Sequence, residues 1–215
     1  MLWFLDDREF VMKSLNSDGI QSAGVEIGQS FVNELRHQKL LESRKIFLAE
    51  GVTADVARRI VSDLLILDSE SSETIYLFVN SPGGEVNSGF SIFDTIRMIN
   101  SPVKIVNCGL CASIATIINV AAKKENRLSL PNTRFLVHQP LIMGQVYGQA
   151  SDLEITAKQI LMTREKINRI LAEECGRPLE KVAEDTVRDY WMNAPEAKEY
   201  GLISRIVDKI DQIKG

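Results

Sequence analysis

The 215-residue chain is 45% hydrophobic and 25% charged, with a net charge of −4. That balance fits a globular protein with a sizeable core and excludes a fibrous or compositionally disordered chain. It also argues against a nucleic-acid surface, which needs clustered Lys and Arg; the pair Lys123-Lys124 reads as a solvated helix end.

The chain opens with MLWFL and turns acidic at Asp6-Asp7, without the basic region and longer apolar run of a secretory signal. Residues 14–22 are polar and loop-like. FVNELRHQKLL (31–41) spaces Phe31, Val32, Leu35 and Leu40-Leu41 as a short amphipathic helix. A strand over 45–48 follows, then a helix over 54–68 with Val56, Ile60, Leu64, Leu65 and Leu67 on one face. TIYLFV (74–79) is near-continuously apolar, the pattern of a strand covered on both faces. The pattern then predicts a helix over 86–99, a strand over 103–106, a helix over 113–124 and a strand over 134–137. A long helix over 151–174, short helices over 179–187 and 194–200, and a strand over 202–207 complete the order. This alternation predicts an α/β fold with a largely parallel sheet and any site along one edge. The longest apolar stretch, 109–122, is too short to span a bilayer, so a soluble intracellular protein is expected.

Cys108, Cys111 and Cys175 make an odd count, and the C-x-x-C lacks a second pair or a nearby histidine. They read as reduced core thiols in a reducing compartment. Two junctions carry more chemistry. Asn80-Ser81-Pro82-Gly83-Gly84 joins a strand to a helix through residues that permit a tight turn with outward N–H groups. Such a turn suits an oxyanion, but by itself is most simply a connection. GLCASIA (109–115) again joins strand to helix, with Ser113 at the helix start, where unpaired N–H groups favour negative charge. A serine there is either a cap or a nucleophile beside its own donor, the Ile114 N–H; in isolation it reads as a cap.

Of two histidines, His37 lies in the polar run Arg36-His37-Gln38-Lys39 and is most simply exposed. His138 ends RFLV before Gln139-Pro140. It is either a satisfied core group or a general base on a rigid element, with an ordinary pKa of about 6.5. A carboxylate should orient it. Asp152 and Glu154 suit the dipole at the start of the long helix. Asp185 and Asp189, four apart in EDTVRDYW, both remain open on residue reasoning.

RKIFL (44–48), NSPGG (80–84), GFSIFDT (89–95), GLCASIA (109–115), LPNTRFLVHQP (130–140), GQASDLEI (148–155), EDTVRDY (184–190) and APEAKEYGL (194–202) occur in this order. Together they resemble the proteolytic subunit of the Clp ATP-dependent protease, the ClpP family of serine peptidases. The resemblance runs from about residue 40 to 207, and the ordered set is specific where no single motif is. It implies a ClpP/crotonase-like α/β fold of repeated β-β-α and βα units over 40–215, with a protruding handle helix at about 151–174. Residues 1–39 form a separate N-terminal segment. Ser113 is implied as nucleophile, His138 as general base and Asp189, rather than Asp185, as the orienting carboxylate. The Gly84 and Ile114 N–H groups would form the oxyanion hole. Val86, Pro140 and Leu141 would contact an extended substrate lying between the strand after Gly84 and the segment after Pro140, with a loose apolar preference.

The same resemblance implies two stacked seven-membered rings, with ring–ring contacts from Asp152, Glu154 and Arg188. A hexameric AAA+ ATPase would dock on Phe78, Val106, Cys108, Leu128, Leu130 and Val207 and feed in unfolded proteins. ATP would be used by that partner, leaving this subunit with no cofactor or metal, and with neither nucleic acid nor membrane as a partner. A bacterial cytoplasmic location is expected; an organelle matrix or stroma also fits. Three features depart from the family pattern. Cys111 and Ile114 stand where alanine and methionine are usual, and Ile114 is the stiffer side chain. Val187 replaces an acidic residue before Arg188. The segment over 141–147 is about two residues longer than usual, and residues 1–39 do not match the usual axial segment. These departures keep open a low-activity or structural paralogue working with a second subunit type in mixed rings. An acyl-CoA enzyme of the crotonase type is the remaining alternative.

Overall fold

The computed structural model describes residues 32–141 and 148–214. The chain forms two compact units, Met1–Ser43 and Arg44–Gly215. In the first, residues 32–42 form helix α1, in which His37 is half-buried, not open to solvent as expected. The expectations for the N-terminal segment before residue 32 and for the extension over 142–147 lie outside the described residues.

In the second unit, β1 (Lys45–Leu48) leads to α2 (Ala54–Glu70). Thr53 starts α2 by accepting the Val56 N–H on its hydroxyl at 3.3 Å, and Val56, Ile60, Leu64 and Leu67 bury one stripe. Next come β2 (Ile75–Ser81) and α3 (Val86–Met98). In β2 the residues Ile75, Leu77 and Val79 are buried, but Tyr76 and Phe78 are only half-covered, so one face is not enclosed as TIYLFV suggested. Then β3 (Val103–Ala112) leads into α4 (Ile114–Ala121). β4 (Arg127–Ser129) and β5 (Arg134–Val137) follow.

The long helix α5 (Ala150–Cys175) spans 26 residues, about 39 Å at 1.5 Å per residue. Its buried residues, Ile167, Asn168, Leu171, Ala172 and Cys175, all lie in the C-terminal third, and Leu153, Ile155, Leu161 and Met162 face solvent. Gly176 ends it at φ 65°, a left-handed cap that glycine adopts without a Cβ clash. α6 (Leu179–Asp185), β6 (Tyr190–Asn193) and α7 (Ala194–Tyr200) follow, α7 opening on a capping box between Asn193 and Glu196. β7 (Arg205–Ile206) and α8 (Asp211–Lys214) end the described chain.

The sheet runs β1-β2-β3-β4-β7, all parallel, and β5 joins the far end of β3 in parallel with β6 antiparallel outside it. Three differences from the sequence pattern matter. β3 continues to Ala112 instead of stopping near 106, because Gly109 bends the strand at φ 79° without ending it. A Cβ there would come within 2.9 Å of Asn80 Oδ1, which itself accepts the Leu110 N–H at 3.1 Å. β4 and β6 do not show in the pattern, since RLS carries a single apolar residue and YWMN no apolar–polar alternation, and β7 covers only two residues of the strand expected over 202–207.

Arg127 explains how β4 is anchored. It is 1% exposed, and its guanidinium donates to the carbonyls of Ala122 at 2.8 Å, Val120 at 3.1 Å and Glu174 at 2.9 Å, and pairs with the Glu174 carboxylate. One side chain thereby satisfies carbonyls at the ends of both α4 and α5. Arg127→Ala removes the donor to the Ala122 and Glu174 carbonyls and leaves the Val120 carbonyl and the Glu174 carboxylate to Arg97 alone, and is expected to cost about 2–4 kcal/mol of stability, read by urea unfolding.

All three cysteines are free. Cys111 and Cys175 are buried; Cys108, inside β3, is half-covered. Burial pushes all three thiols up, Cys175 to about 11 from an ordinary 9.0. Between those values the unfolded thiol loses its proton while the folded one keeps it, so stability falls as pH rises through that window. Cys175→Ala is expected to flatten the alkaline limb of a plot of Tm against pH, whatever it does to the maximum.

Candidate active site

The sheet register assembles the site. Ala112 on β3 is paired with Leu136 on β5, and the Ser113 N–H donates to the Leu136 carbonyl at 2.9 Å. Ser113 and His138, each at a strand end, are therefore carried side by side. On the other edge of β5, Val137 is paired with Tyr190 of antiparallel β6, which puts Asp189 level with His138.

Ser113 sits at the N-cap position of α4 but makes no capping hydrogen bond. Its Oγ lies 2.8 Å from His138 Nε2 instead. The backbone there has φ 57° and ψ −127°, a strained conformation for a residue with a side chain, costing on the order of 1–3 kcal/mol. His138 is 13% exposed, and its Nδ1 faces Asp189 Oδ1 at 3.3 Å. That approach falls short of hydrogen-bond geometry, leaving Nδ1 buried without a bonded acceptor among the described residues, while the Asp189 carboxylate is 63% exposed. The serine–histidine half of the constellation is tight and the histidine–aspartate half is loose.

Asp185 has a different task. It is buried at the end of α6, accepting from Lys181 Nζ at 2.6 Å and the Tyr200 hydroxyl at 3.2 Å. The hydrogen bond that the Lys181 ammonium donates to Asp185 holds it above its usual pKa, and burial, more than Asp185, pushes the Tyr200 phenol up.

The turn after β2 is built to lie against the serine. Ser81 Oγ donates to the Glu50 carbonyl at 2.6 Å and accepts the Gly83 N–H at 3.1 Å. Val52 N–H donates to the Gly83 carbonyl, and Glu85 N–H to the Val52 carbonyl, both at 2.8 Å. A Cβ on Gly83, at φ 87°, would lie 2.6 Å from both the Ala112 oxygen and Ser113 Cβ, and 3.1 Å from the Ile114 nitrogen. One on Gly84 would meet the Val52 oxygen at 2.2 Å. Among the described residues neither the Gly84 nor the Ile114 N–H is used in a backbone hydrogen bond. Both donors implied by the resemblance are thus left available, Ile114 directly after Ser113 and Gly84 directly after the Gly83 that packs on it.

Val86 and Pro140 line a small cavity with Ser113 and His138, and with Leu141 they border an adjoining open groove of about 390 Å³ against α5. Val86 begins helix α3, so the strand expected after Gly84 is absent: the chain turns helical two residues later. Residue reasoning missed Gln139, whose N–H donates to the Thr186 carbonyl at 2.7 Å and whose side chain donates to the Val187 carbonyl at 2.9 Å. Thr186 in turn donates its hydroxyl to Asn168 on α5 at 3.0 Å. A glutamine following a candidate histidine was the only signal available.

Elsewhere, Val106, Leu128 and Val207 form a buried cluster with Ile213, against which Tyr76, Phe78 and Leu130 pack half-exposed. Phe78 stacks on Phe47 with ring centroids 4.8 Å apart. Cys108 lies outside this cluster, half-buried, with its thiol 3.5 Å from the Val79 carbonyl. Asp152, Glu154 and Arg188 are all exposed.

A family model described as Clp protease matches residues 29–210. The chain belongs to the Clp protease family. It is 49% identical over 174 residues to an ATP-dependent Clp protease proteolytic subunit 3 of Rhizobium meliloti, covering 81% of this chain and 88% of the relative. Over 167 residues it is 48% identical to a proteolytic subunit 2 of Pseudomonas aeruginosa, covering 78% and 82%. A solved structure of a ClpP1 mutant from Listeria monocytogenes matches with a TM-score of 0.75 at 40% identity, over 82% of this chain and 98% of that one. The ClpP fold and the family's peptidase class are therefore those of this chain, a ClpP-type proteolytic subunit.

Gly83→Ala is expected to lower stability by about 1–3 kcal/mol, because the new Cβ has only backbone and Ser113 to push against. Gly51→Ala, whose Cβ would meet only the Gly83 oxygen at 3.7 Å, is the matched control and should be near neutral in a thermal melt.

Proposed function

We propose that this subunit cleaves peptide bonds of unfolded proteins by acyl transfer through Ser113. The observation that carries the reading is the 2.8 Å Ser113–His138 contact, made by a serine that occupies a cap position without capping. Ser113 Oγ attacks the scissile carbonyl carbon as His138 Nε2 takes its proton. The charge growing on the carbonyl oxygen is met by the N–H of Gly84, in the turn before α3, and that of Ile114, at the start of α4, each such donor being worth about 2.7–4 kcal/mol in the transition state. His138 returns the proton to the leaving amine, then activates water to release the acyl group. Asp189 stabilises the imidazolium in both steps. Substrate runs along the groove bordered by Val86, Pro140 and Leu141, passing the start of α3 instead of a strand.

The proposal extends to assembly. The exposed apolar residues of α5, with Asp152, Glu154 and Arg188, suit a contact between two stacked heptameric rings. The half-exposed residues over the Val106–Leu128–Val207 cluster suit docking of a hexameric AAA+ ATPase, which would consume the ATP and deliver unfolded substrates. Among the described residues no helix is long and apolar enough to cross a membrane; a bacterial cytoplasmic setting suits the free thiols.

One observation favours the second reading, a subunit of low intrinsic activity in mixed rings with a paralogue. Among the described residues His138 Nδ1 has no bonded acceptor, and Asp189 is largely solvated. A partner subunit that closes this joint would raise activity.

The assembled protein with its ATPase should label at Ser113 with a fluorophosphonate and hydrolyse peptides, and Ser113→Ala should abolish both. Asp189→Asn should lower kcat by about 10⁴-fold. An assembled wild-type particle that neither labels nor cleaves would overturn the peptidase reading, and activity gained only on mixing with a second paralogue would favour the alternative.

A further inference from the structure

The side chain of Ile114 has one defined seat. Ile114 is 2% exposed, and a Cβ built on Gly89, in the second turn of α3, would fall 2.2 Å from its Cγ1 and 3.2 Å from its Cδ1. The side chain missing at position 89 is the socket that receives the isoleucine. From that seat Ile114 forms one wall of the cavity whose rim is Ser113 and His138. Ile117, Val137, Ile167 and Leu171, all buried, form its other apolar walls; Thr116 also lines it, but its hydroxyl is spent on the Ser113 carbonyl at 2.7 Å, and Val86 and Pro140 stand towards the groove.

The space between these walls is about 20 Å³. A single water needs roughly 10–15 Å³ on this measure, so the cavity takes a methyl group and has no room for the branched or aromatic side chains of leucine or phenylalanine. Its walls do not yield easily. A β-branched side chain is stiff at χ1, and a close-packed interior resists even one added methylene. The apolar lining also rejects charged residues, which would be buried there without partners.

We infer that the residue contributing the attacked carbonyl is small and uncharged, with alanine preferred over leucine, and that Ile114 seated on Gly89 sets this limit. The inference rests on Ser113 being the acylated nucleophile. It replaces the loose apolar preference at this one position, while the open groove beyond Pro140 leaves neighbouring positions permissive.

Three covalent probes separate the possibilities on the full-length, assembled protein. One is a simple fluorophosphonate without an amino-acid side chain. The other two are peptidyl diphenyl phosphonates that differ only in carrying an alanine-like or a leucine-like side chain at the reactive phosphorus. In the peptidyl probes a bond forms between Ser113 Oγ and phosphorus, phenoxide leaves, and the serine proton passes to His138. Labelling rates at Ser113 are read by intact mass. The wild type should take the alanine probe at least about tenfold faster than the leucine probe, the range a methylene or more is worth in a tight pocket. Ile114→Ala should bring the ratio towards or past unity, and Ile114→Val, which removes one methyl, should move it less in the same direction. Because the ratio is internal to each variant, partial loss of folded protein does not affect it. Equal rates for both peptidyl probes in the wild type, with the fluorophosphonate still labelling Ser113, would overturn the inference alone. A wild-type preference unmoved in both variants would remove Ile114 from its role. Absence of labelling by all three would overturn the nucleophile itself, and this inference with it.

Discussion

The site depends on strand register more than on any single contact. Ser113 leaves β3 one residue past the Ala112–Leu136 pair, His138 leaves β5 one residue past Val137, and Asp189 stands one residue before the Tyr190–Val137 pair. Because side chains alternate at every residue of a strand, a slip of one position in either pairing would send one of the three to the opposite face. Backbone hydrogen bonds that the sheet needs anyway therefore fix the relative placement of serine, histidine and aspartate. The Gly83-Gly84 turn then has only to lie close, which the absence of two Cβ atoms permits.

β3 is the hinge of this arrangement in a geometric sense. Its first half pairs with β4 through Ile105–Asn107, and its second half with β5 through Leu110–Ala112, with the change of partner at the Gly109 bend. The half-exposed aromatic surface lies over the first branch and the candidate active site lies at the end of the second. Arg127 fastens the first branch by tying β4 to the ends of α4 and α5. Gln139, Thr186 and Asn168 fasten the second by linking the segment after His138 to α5. Both branches are thus secured to the same helix, near its buried C-terminal third.

Much of this was legible in the residues, and what was missed has physical causes. Helices with a continuous apolar stripe, such as α2 and α5, announced themselves to within a few residues, and the strand over 134–137 matched in full. The short strands β1 and β5 are marked by the runs IFL and FLV, whereas β4, with one apolar residue, and β6, running straight into a helix, left too little pattern to detect. That mattered for β6: without its antiparallel pairing to β5, Asp185 and Asp189 could not be told apart by residue reasoning, although Tyr190-Trp191 is a β-prone pair. The structure separates them by giving Asp185 to Lys181 and Tyr200. Ser113 was likewise undecidable locally, since a cap and a nucleophile occupy the same place in a strand-to-helix turn. The seat of Ile114 on Gly89 could not be read at all, because it joins two residues 25 positions apart across a helix interface.

The backbone of Ser113 bears on how such a chain would drift over generations. At a φ of 57° serine is the costlier choice and glycine the relaxed one, since glycine alone reaches that region without a Cβ conflict. A subunit kept only as scaffolding would gain stability by losing its hydroxyl at this position, and the change needs a single substitution. Retaining serine under that steady pull is what ongoing selection for its chemistry would produce.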